Sequence, residues 1–289
     1  MSYEKVADAL NNMLRLKHPI TRAALCQNVL RLGQLAAEKY QSLIAQLQAA
    51  SVVHADETGW RIGSKSAWLW VFTNARATIY LIREGKGARG HEAVLEILGR
   101  KFAGTLVSDC FVAYDHHALA AWAKQKCFSH LLKDLSQMSD AAWALSSEFI
   151  DATSRCLRAA MALKAKRATL NKAGHDAQCA KLEERLDKIL ESHADTGSED
   201  AARFLARLVK HRAHLFTFLY ADEVDATNNL AERQVRPAVI VRKTQGCNKS
   251  ADGAEAHARL ASLLATARQR GQSTLDCLIE IVYRRLEPA

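Results

Sequence analysis

The apolar residues of this chain change their spacing twice, and this change limits the folds that it can adopt. Between residues 52 and 130, short segments rich in Val, Ile, Trp and Phe are separated by glycine-containing breaks, a pattern typical of strands. Residues 1–50, 131–220 and the last fifty residues instead repeat Leu and Ala every three to four positions, which predicts helices. The combination predicts an α/β protein in which helices cover a sheet.

The strand-rich region resolves into separate elements. Strands are predicted at 52–56, 67–73 and 77–83 as antiparallel neighbours, with Gly59 and Gly63 at the first break. Further along, a helix is predicted at 90–98, an apolar strand at 104–109, a helix at 113–124 and a candidate fifth strand at 126–130. Because strands come first and helices interleave later, we expect a mixed sheet flanked by helices on both faces.

The remaining segments are predicted to be helical. Residues 1–50 form a helical lead, which fits either packing helices or a DNA-binding helix-turn-helix. Residues from about 135 to 220 form a helical insertion in the α/β domain, and Pro237 is predicted to end or kink a later helix.

Composition narrows the class of protein. The seven cysteines are scattered and include no C-x-x-C pair, which argues against a disulfide framework and a structural zinc site. Neither a signal-peptide core nor an apolar run long enough for a bilayer is present, so we expect a cytoplasmic protein without membrane contact. Phosphate-binding glycine motifs of the P-loop and Rossmann types are also missing.

The charge balance favours a polyanionic partner. Lys and Arg exceed Asp and Glu by 40 to 31, giving a formal charge of +9. One run between residues 151 and 175 contains six cations against the single acid Asp151: Arg155, Arg158, Lys164, Lys166, Arg167 and Lys172. This run fits either a solvated helical face or a surface that contacts phosphates.

Three acids stand out by their positions. Asp56 ends the first predicted strand, Asp109 ends the apolar fourth strand, and Glu232 lies on a late helix. If they converge, they form an oxygen-ligand site for Mg²⁺ that is suited to phosphoryl transfer. Each acid also has a structural explanation: the two Asp residues can cap turns, and Glu232 can complete a capping box with Asn229. Spacing alone does not show that they meet.

Two other groups of residues allow alternative chemistry. His54 and Asp56 occupy positions i and i+2 of one strand, so both could ligate a metal, or His54 could be a buried polar residue. Cys127 and His130 could act as nucleophile and base, but no oxyanion or third-group pattern accompanies them.

Five blocks carry a family resemblance: HADETGW, WLWVFTN, GTLVSDCFVAYD, CFSHLLKDL and TNNLAERQVRPAVIVRKTQG. In this order they resemble the successive blocks of IS66-family insertion-sequence transposases, from about residue 53 to 271, and N-N-x-A-E-R-x-x-R-P is the most specific. The resemblance implies an RNase H-like catalytic domain over 51–289, interrupted by a helical insertion before the last catalytic residue.

The resemblance also implies roles for individual residues. Asp56, Asp109 and Glu232 become the catalytic carboxylates that hold two Mg²⁺ or Mn²⁺ ions. The resemblance implies that DNA phosphates are held by Arg233, Arg236, Arg242, Lys243 and Lys249, although Arg236 could instead pair with Glu232. Asn229 and His130 are further matched positions. The implied partners are transposon-end and target DNA and further copies of the chain in a synaptic complex, in a bacterial, nucleoid-associated setting.

The chain departs from the family pattern in two places. Leu131 and Leu132 precede Lys133, where the family usually has basic residues. Only 55 residues precede Asp56, without a cysteine pair, which predicts a catalytic domain with a short helical lead.

The expected activity is metal-dependent strand cleavage and transfer. The alternatives are a catalytically incompetent remnant that only binds DNA, and a general RNase H-like nuclease.

Overall fold

The computed structural model of the chain describes residues 2–15, 17–85, 87–141, 147–193 and 198–283. The helices are α1 Tyr3–Leu14, α2 Arg22–Leu35, α3 Ala37–Gln48, α4 Glu92–Leu98, α5 Phe128–Ala141, α6 Ser147–Ala165, α7 Lys172–Ser192, α8 Glu199–His211, α9 Thr217–Tyr220, α10 Asn229–Gln245, α11 Ala251–Gln269 and α12 Thr274–Tyr283. The strands are β1 Val52–Ile62, β2 Lys65–Thr73, β3 Thr78–Glu84, β4 Thr105–Ser108 and β5 Ala123–Lys126.

The chain divides into two compact units. The first comprises Met1–Phe102, Ala113–Ala120 and Leu230–Ala289, and the second comprises Ala103–Val112 and Ala121–Asn229. The first unit contains the antiparallel strands β1, β2 and β3, and the second contains the parallel pair β4 and β5. The predicted α/β class, with both strand orientations and flanking helices, is therefore confirmed.

In the first unit, α10 and α11 cover one face of the antiparallel strands. The side chains buried in this contact are Trp60, Ile62, Ala67, Leu69, Val71 and Tyr80 from the strands and Ala238, Ala254 and Ala258 from the helices. Polar groups of α11 also pair with the backbone of β3, where Thr266 Oγ1 and Ser262 Oγ accept the amides of Thr78 and Tyr80. These bonds satisfy edge-strand donors that would otherwise be unpaired.

The N-terminal helix α2 packs closely against α11 in the first unit. Gly33 of α2 lies so close to α11 that a Cβ atom there would stand 2.4 Å from the Cβ of Ala256. We expect Gly33→Ala to lower the free energy of unfolding by about 1–3 kcal/mol, because the two helices must separate. Urea titration measures this loss. Adding Ala256→Gly should recover part of it, and an unchanged midpoint in Gly33→Ala would contradict the close contact.

The segment after β4 corrects two sequence predictions. The expected helix at 113–124 is replaced by the 3₁₀ turns Val112–Asp115 and His117–Leu119 and by β5. A side-chain bond from the Ala118 amide to His116 Nδ1 competes with helical pairing there. The expected strand at 126–130 is instead the end of β5 followed by the start of α5, so His130 lies on a helix.

The spacing of apolar residues did not predict strand β5, because this strand is polar and yet buried. Lys124, Gln125 and Lys126 are at most 3% exposed. Their polar ends have partners: Gln125 Nε2 donates to the carbonyl of Leu215, and Lys126 Nζ donates to the carbonyl of Asp109 at 3.0 Å. Paired polar groups can be buried without the cost of a lost hydrogen bond, so apolar character was not required.

The predicted end of the first strand and the predicted helix end at Pro237 also differ from the structure. Strand β1 continues to Ile62, so Asp56 does not end it and Gly59 lies inside it. Gly63, at φ +59°, is in the turn to β2. Pro237 is predicted from the sequence to end or kink its helix, but α10 continues through it to Gln245, so the helix does not end there. In the predicted insertion, 142–146 and 194–197 lie outside the described residues. Among the described helices, none is both long and apolar enough to span a bilayer.

Candidate active site

Asp56 lies on the sheet face that α10 covers. It is half-buried and shares its face of β1 with Thr58 and Trp60, because side chains alternate along a strand. In the register of the sheet, Asp56 stands opposite Val71, and Val71 stands opposite Tyr80. The Asp56 Oδ1 atom accepts the amide of Glu57 at 2.9 Å, which orients the carboxylate.

The first half of α10 is held over the same row of residues. The hydroxyl of Tyr80 donates to the carbonyl of Gln234 at 2.7 Å. Tyr80 and Asp56 are two strands apart, about 10 Å across the sheet. Glu232, half-buried in the first turn of α10, is two residues before Gln234. The structure therefore places Asp56 and the helix that carries Glu232 on one face of one sheet.

A second contact anchors the C-terminal half of α10 to β1. The Arg242 Nη1 atom donates to Thr58 Oγ1 at 2.9 Å and also to the carbonyl of Gly59. Thr58 is two residues from Asp56 on the same face. The family resemblance implied a DNA contact for Arg242, which stays a prediction; in the structure its guanidinium attaches the helix to the strand. The contact pairs residues 184 positions apart, which no local pattern could reveal.

The neighbouring acid, Glu57, points to the opposite face of the sheet. It pairs in register with Trp70, and its Oε2 atom accepts the hydroxyl of Tyr114 at 2.8 Å. Tyr114 is fully buried and packs edge-on against Trp70. Glu57 therefore has a structural partner away from α10. His54, which could have joined Asp56 as a metal ligand, is only 3% exposed.

Asp109 belongs to the second unit, directly after β4. Its Oδ1 atom accepts the amide of Phe111 at 2.8 Å, so the carboxylate caps a turn, as one alternative predicted. The side chain is half-buried, and its backbone carbonyl accepts the buried Lys126 ammonium. These bonds fix the direction of the carboxylate. That Asp109 meets Asp56 and Glu232 remains a prediction.

The segment that leads into α10 is fastened to the start of α5 within the second unit. The amide of Phe128 donates to the carbonyl of Ala226 at 2.9 Å, and the amide of Asn228 donates to the Cys127 sulfur at 3.1 Å. Cys127 is fully buried. Two of the sequence blocks, CFSH and TNN, are thus joined by hydrogen bonds.

The start of α10 also bears on the role of Glu232. The helix begins at Asn229, so Asn228 precedes it and the predicted capping box of Asn229 with Glu232 is out of register. The Asn229 side chain instead approaches Ser129, with Asn229 Oδ1 at 3.5 Å from Ser129 Oγ. The structural explanation of Glu232 as a capping residue is therefore weakened.

Four of the five cations proposed for DNA binding are exposed, unlike Arg242, which is bonded to β1. The side chains of Arg233, Arg236, Lys243 and Lys249 are exposed, and within the described part of the chain none forms an ion pair or hydrogen bond. The pairing of Arg236 with Glu232 is therefore not formed. Exposed cations without protein partners are available to phosphate oxygens.

The cations of the helical insertion divide into two groups. Lys164 donates to the carbonyls of Phe218, Ala221 and Asp222, and its burial lowers its pKa. Arg167 and Lys172 pair with Asp222 and Asp176. The exposed remainder is Arg155, Arg158 and Lys166. Half of the run therefore has a structural role.

Replacing Arg242 should affect stability more than replacing its neighbour. We expect Arg242→Ala to lower the free energy of unfolding by about 1–3 kcal/mol, because the Gly59 carbonyl loses a charged donor in a half-buried place. Lys243→Ala, at an exposed position, should change it by less than about 0.5 kcal/mol. Thermal and urea unfolding of both variants measure the difference, and equal stabilities would contradict the anchoring role.

Residues 4–256 match the family described as "Transposase IS66 family". The chain is also 27% identical over 244 residues to the uncharacterized protein y4qI of Sinorhizobium fredii (strain NBRC 101917 / NGR234), covering 75% of this chain. The chain spans 43% of the length of that relative.

Proposed function

This chain belongs to the IS66 family of transposases, and from that membership we propose that it catalyses metal-dependent cleavage and transfer of DNA strands at insertion-sequence ends. The proposed catalytic residues are Asp56, Asp109 and Glu232. The observation that carries the proposal is the placement of Asp56 on the sheet face covered by α10, the helix of Glu232. The proposed fold around them is RNase H-like.

The donor set fits a divalent metal. Three carboxylates supply only oxygen ligands, which suit Mg²⁺ or Mn²⁺, and backbone amides orient two of them, Asp56 and Asp109. Two bound ions would supply charge stabilisation at the attacking and leaving oxygens of a phosphodiester. The part of the protein is to hold the carboxylates in place: Tyr80 and Arg242 fix α10 on the sheet, and Lys126 supports the backbone at Asp109.

The DNA substrate would be held by the exposed cations of α10 and of the loop after it. Arg233 and Arg236 follow Glu232 within about one helical turn, and Lys243 and Lys249 extend the positive surface. Arg and Lys bind phosphate oxygens through charge-assisted hydrogen bonds. Arg155, Arg158 and Lys166 of the insertion supply a second basic surface. We also propose that the chain acts as a homo-oligomer in a synaptic complex, in the bacterial cytoplasm beside the nucleoid.

A cleavage assay tests the proposal. The full chain is incubated with duplex DNA that carries the terminal repeats of its own insertion sequence, first with Mg²⁺ and then with a chelator. Nicking at the repeat ends that requires the metal would support the transposase. Cutting without sequence preference would show that the chain is a general nuclease and not a transposase. Binding without cutting would show that it is a remnant that only binds DNA.

A further inference from the structure

A cavity of about 520 Å³ lies in the first unit, at the end of β1 away from Asp56. Its walls are the end of β1, the start of β2, and the segment from Arg242 to Lys249. The Cα atoms of Asp56 and Gly59, three residues apart on β1, are about 10 Å from each other. The cavity is thus separate from the proposed carboxylate site but continues along the same strand.

The loop that closes the cavity is fixed by several hydrogen bonds. Asn248 Oδ1 accepts the indole N–H of Trp60 at 2.9 Å, its Nδ2 donates to the carbonyl of Gly253, and its own carbonyl accepts the amide of Gly63. Arg242 fixes the other end on β1. The cavity is therefore formed in advance, and its volume is in the range of small-ligand sites.

One wall of the cavity is aromatic. Trp68 is half-buried and stands opposite Gly59 in the register of β1 and β2, so no side chain from β1 at this position covers the indole. The guanidinium of Arg89 lies over the Trp68 ring, 4.3 Å from its centroid. A planar aromatic ligand could stack only on the face of the indole that Arg89 does not cover.

The rest of the lining consists of Trp60, Asn248, three cations and small residues. Arg61, Arg242 and Lys249 contribute positive charge, and the lining contains neither Asp nor Glu. A ligand that combines a flat aromatic ring with a negative charge matches both properties. A nucleotide is such a ligand, whereas a DNA duplex is too wide to enter a cavity of this volume.

We propose that this cavity binds one unpaired nucleotide of the DNA substrate, with the base against Trp68 and its phosphate near Lys249 and Arg61. The proposal rests on the proposed function, since that function brings DNA to β1. An enzyme that opens a duplex end must place the freed base somewhere, and stacking on an aromatic side chain offsets part of the cost of unpairing.

Fluorescence anisotropy tests this assignment with two probes, a short labelled oligothymidylate and a blunt duplex of the same length. Trp68→Ala should weaken binding of the oligothymidylate by about 5- to 150-fold, the loss expected for one stacked base. Binding of the duplex should change less than about twofold, because phosphate contacts elsewhere dominate it. Trp68→Phe, which keeps a ring, should restore most of the affinity and shows that the loss is not misfolding.

A second pair of variants tests the charged wall. Lys249→Ala should weaken binding of the oligothymidylate more than Lys181→Ala, which removes another exposed lysine, on α7. Unchanged oligothymidylate binding in Trp68→Ala, or equal loss for both probes, would overturn the proposed nucleotide site while leaving the transposase proposal intact. A wild-type chain that binds neither probe would instead overturn both.

Discussion

Asp56→Asn is expected to reduce metal-dependent strand cleavage by at least about 10³-fold, because it removes a charged oxygen ligand whose loss costs several kcal/mol in the transition state. Asp109→Asn and Glu232→Gln should have effects of similar size. Each substitution keeps the volume of the side chain, so DNA binding should stay close to that of the unmodified chain. Nicking of terminal-repeat DNA and gel-shift binding are measured on the same preparations.

Glu57→Gln provides a matched control for Asp56→Asn. The two acids are adjacent in sequence, but Glu57 lies on the opposite face of the sheet, where it accepts the hydroxyl of Tyr114. A glutamine oxygen can accept the same bond, so cleavage should stay within about threefold of the unmodified chain, as expected for a substitution remote from the chemistry. Loss of cleavage in Glu57→Gln together with normal cleavage in Asp56→Asn would show that the assignment of the acids is wrong.

Removing the four unpaired cations of the α10 region should weaken DNA binding and its dependence on salt. Each phosphate contact contributes about 0.9 to the slope of log affinity against log salt concentration. The variant with Arg233, Arg236, Lys243 and Lys249 all replaced by Ala should therefore lose up to about 3.6 from that slope, four contacts at this value. Affinity for duplex DNA is measured by anisotropy at several salt concentrations.

Two comparison variants locate the contacts. Replacing Lys172, Lys188 and Arg203 removes cations that already pair with acids on their own helices, so the slope should change little. Replacing Arg155, Arg158 and Lys166 tests the basic surface of the insertion separately. If the slope is unchanged in the four-cation variant and falls in the insertion variant, the DNA lies on the insertion and not beside α10.

Several features were predictable from sequence because they depend on local pattern. The period-two apolar segments placed β1, β2 and β3, and the ordered blocks pointed to the transposase family that the comparison confirmed. Strand β5 was not predictable, because Lys124, Gln125 and Lys126 are buried through partners that lie up to 93 residues away in sequence. A polar strand has no apolar alternation to reveal it.

Some features of the candidate site were likewise predictable from the sequence, and others were not. The strand-end position of Asp109, the helix of Glu232 and the surplus of cations after Glu232 were visible in the sequence, whereas the predicted end of the first strand at Asp56 was wrong. The sequence did not show which of these cations bonds to the protein itself. Arg242 forms hydrogen bonds with β1, whereas Lys243 beside it is exposed. Neighbouring residues on a helix point in different directions, and only the packing of α10 decides which direction faces the sheet.

The sequence by itself determined the class of fold, the family and the set of acids from which a catalytic site could be built. The change in apolar spacing is a local property, and the family blocks are linear. Only the tertiary structure separated Asp56 from Glu57, because the strand register places one under α10 and the other beside Tyr114. The tertiary structure also forms the cavity at Trp68, because it brings the end of β1 together with a loop that lies nearly two hundred residues later in the sequence. Such contacts arise from long-range packing, which a single linear sequence does not display.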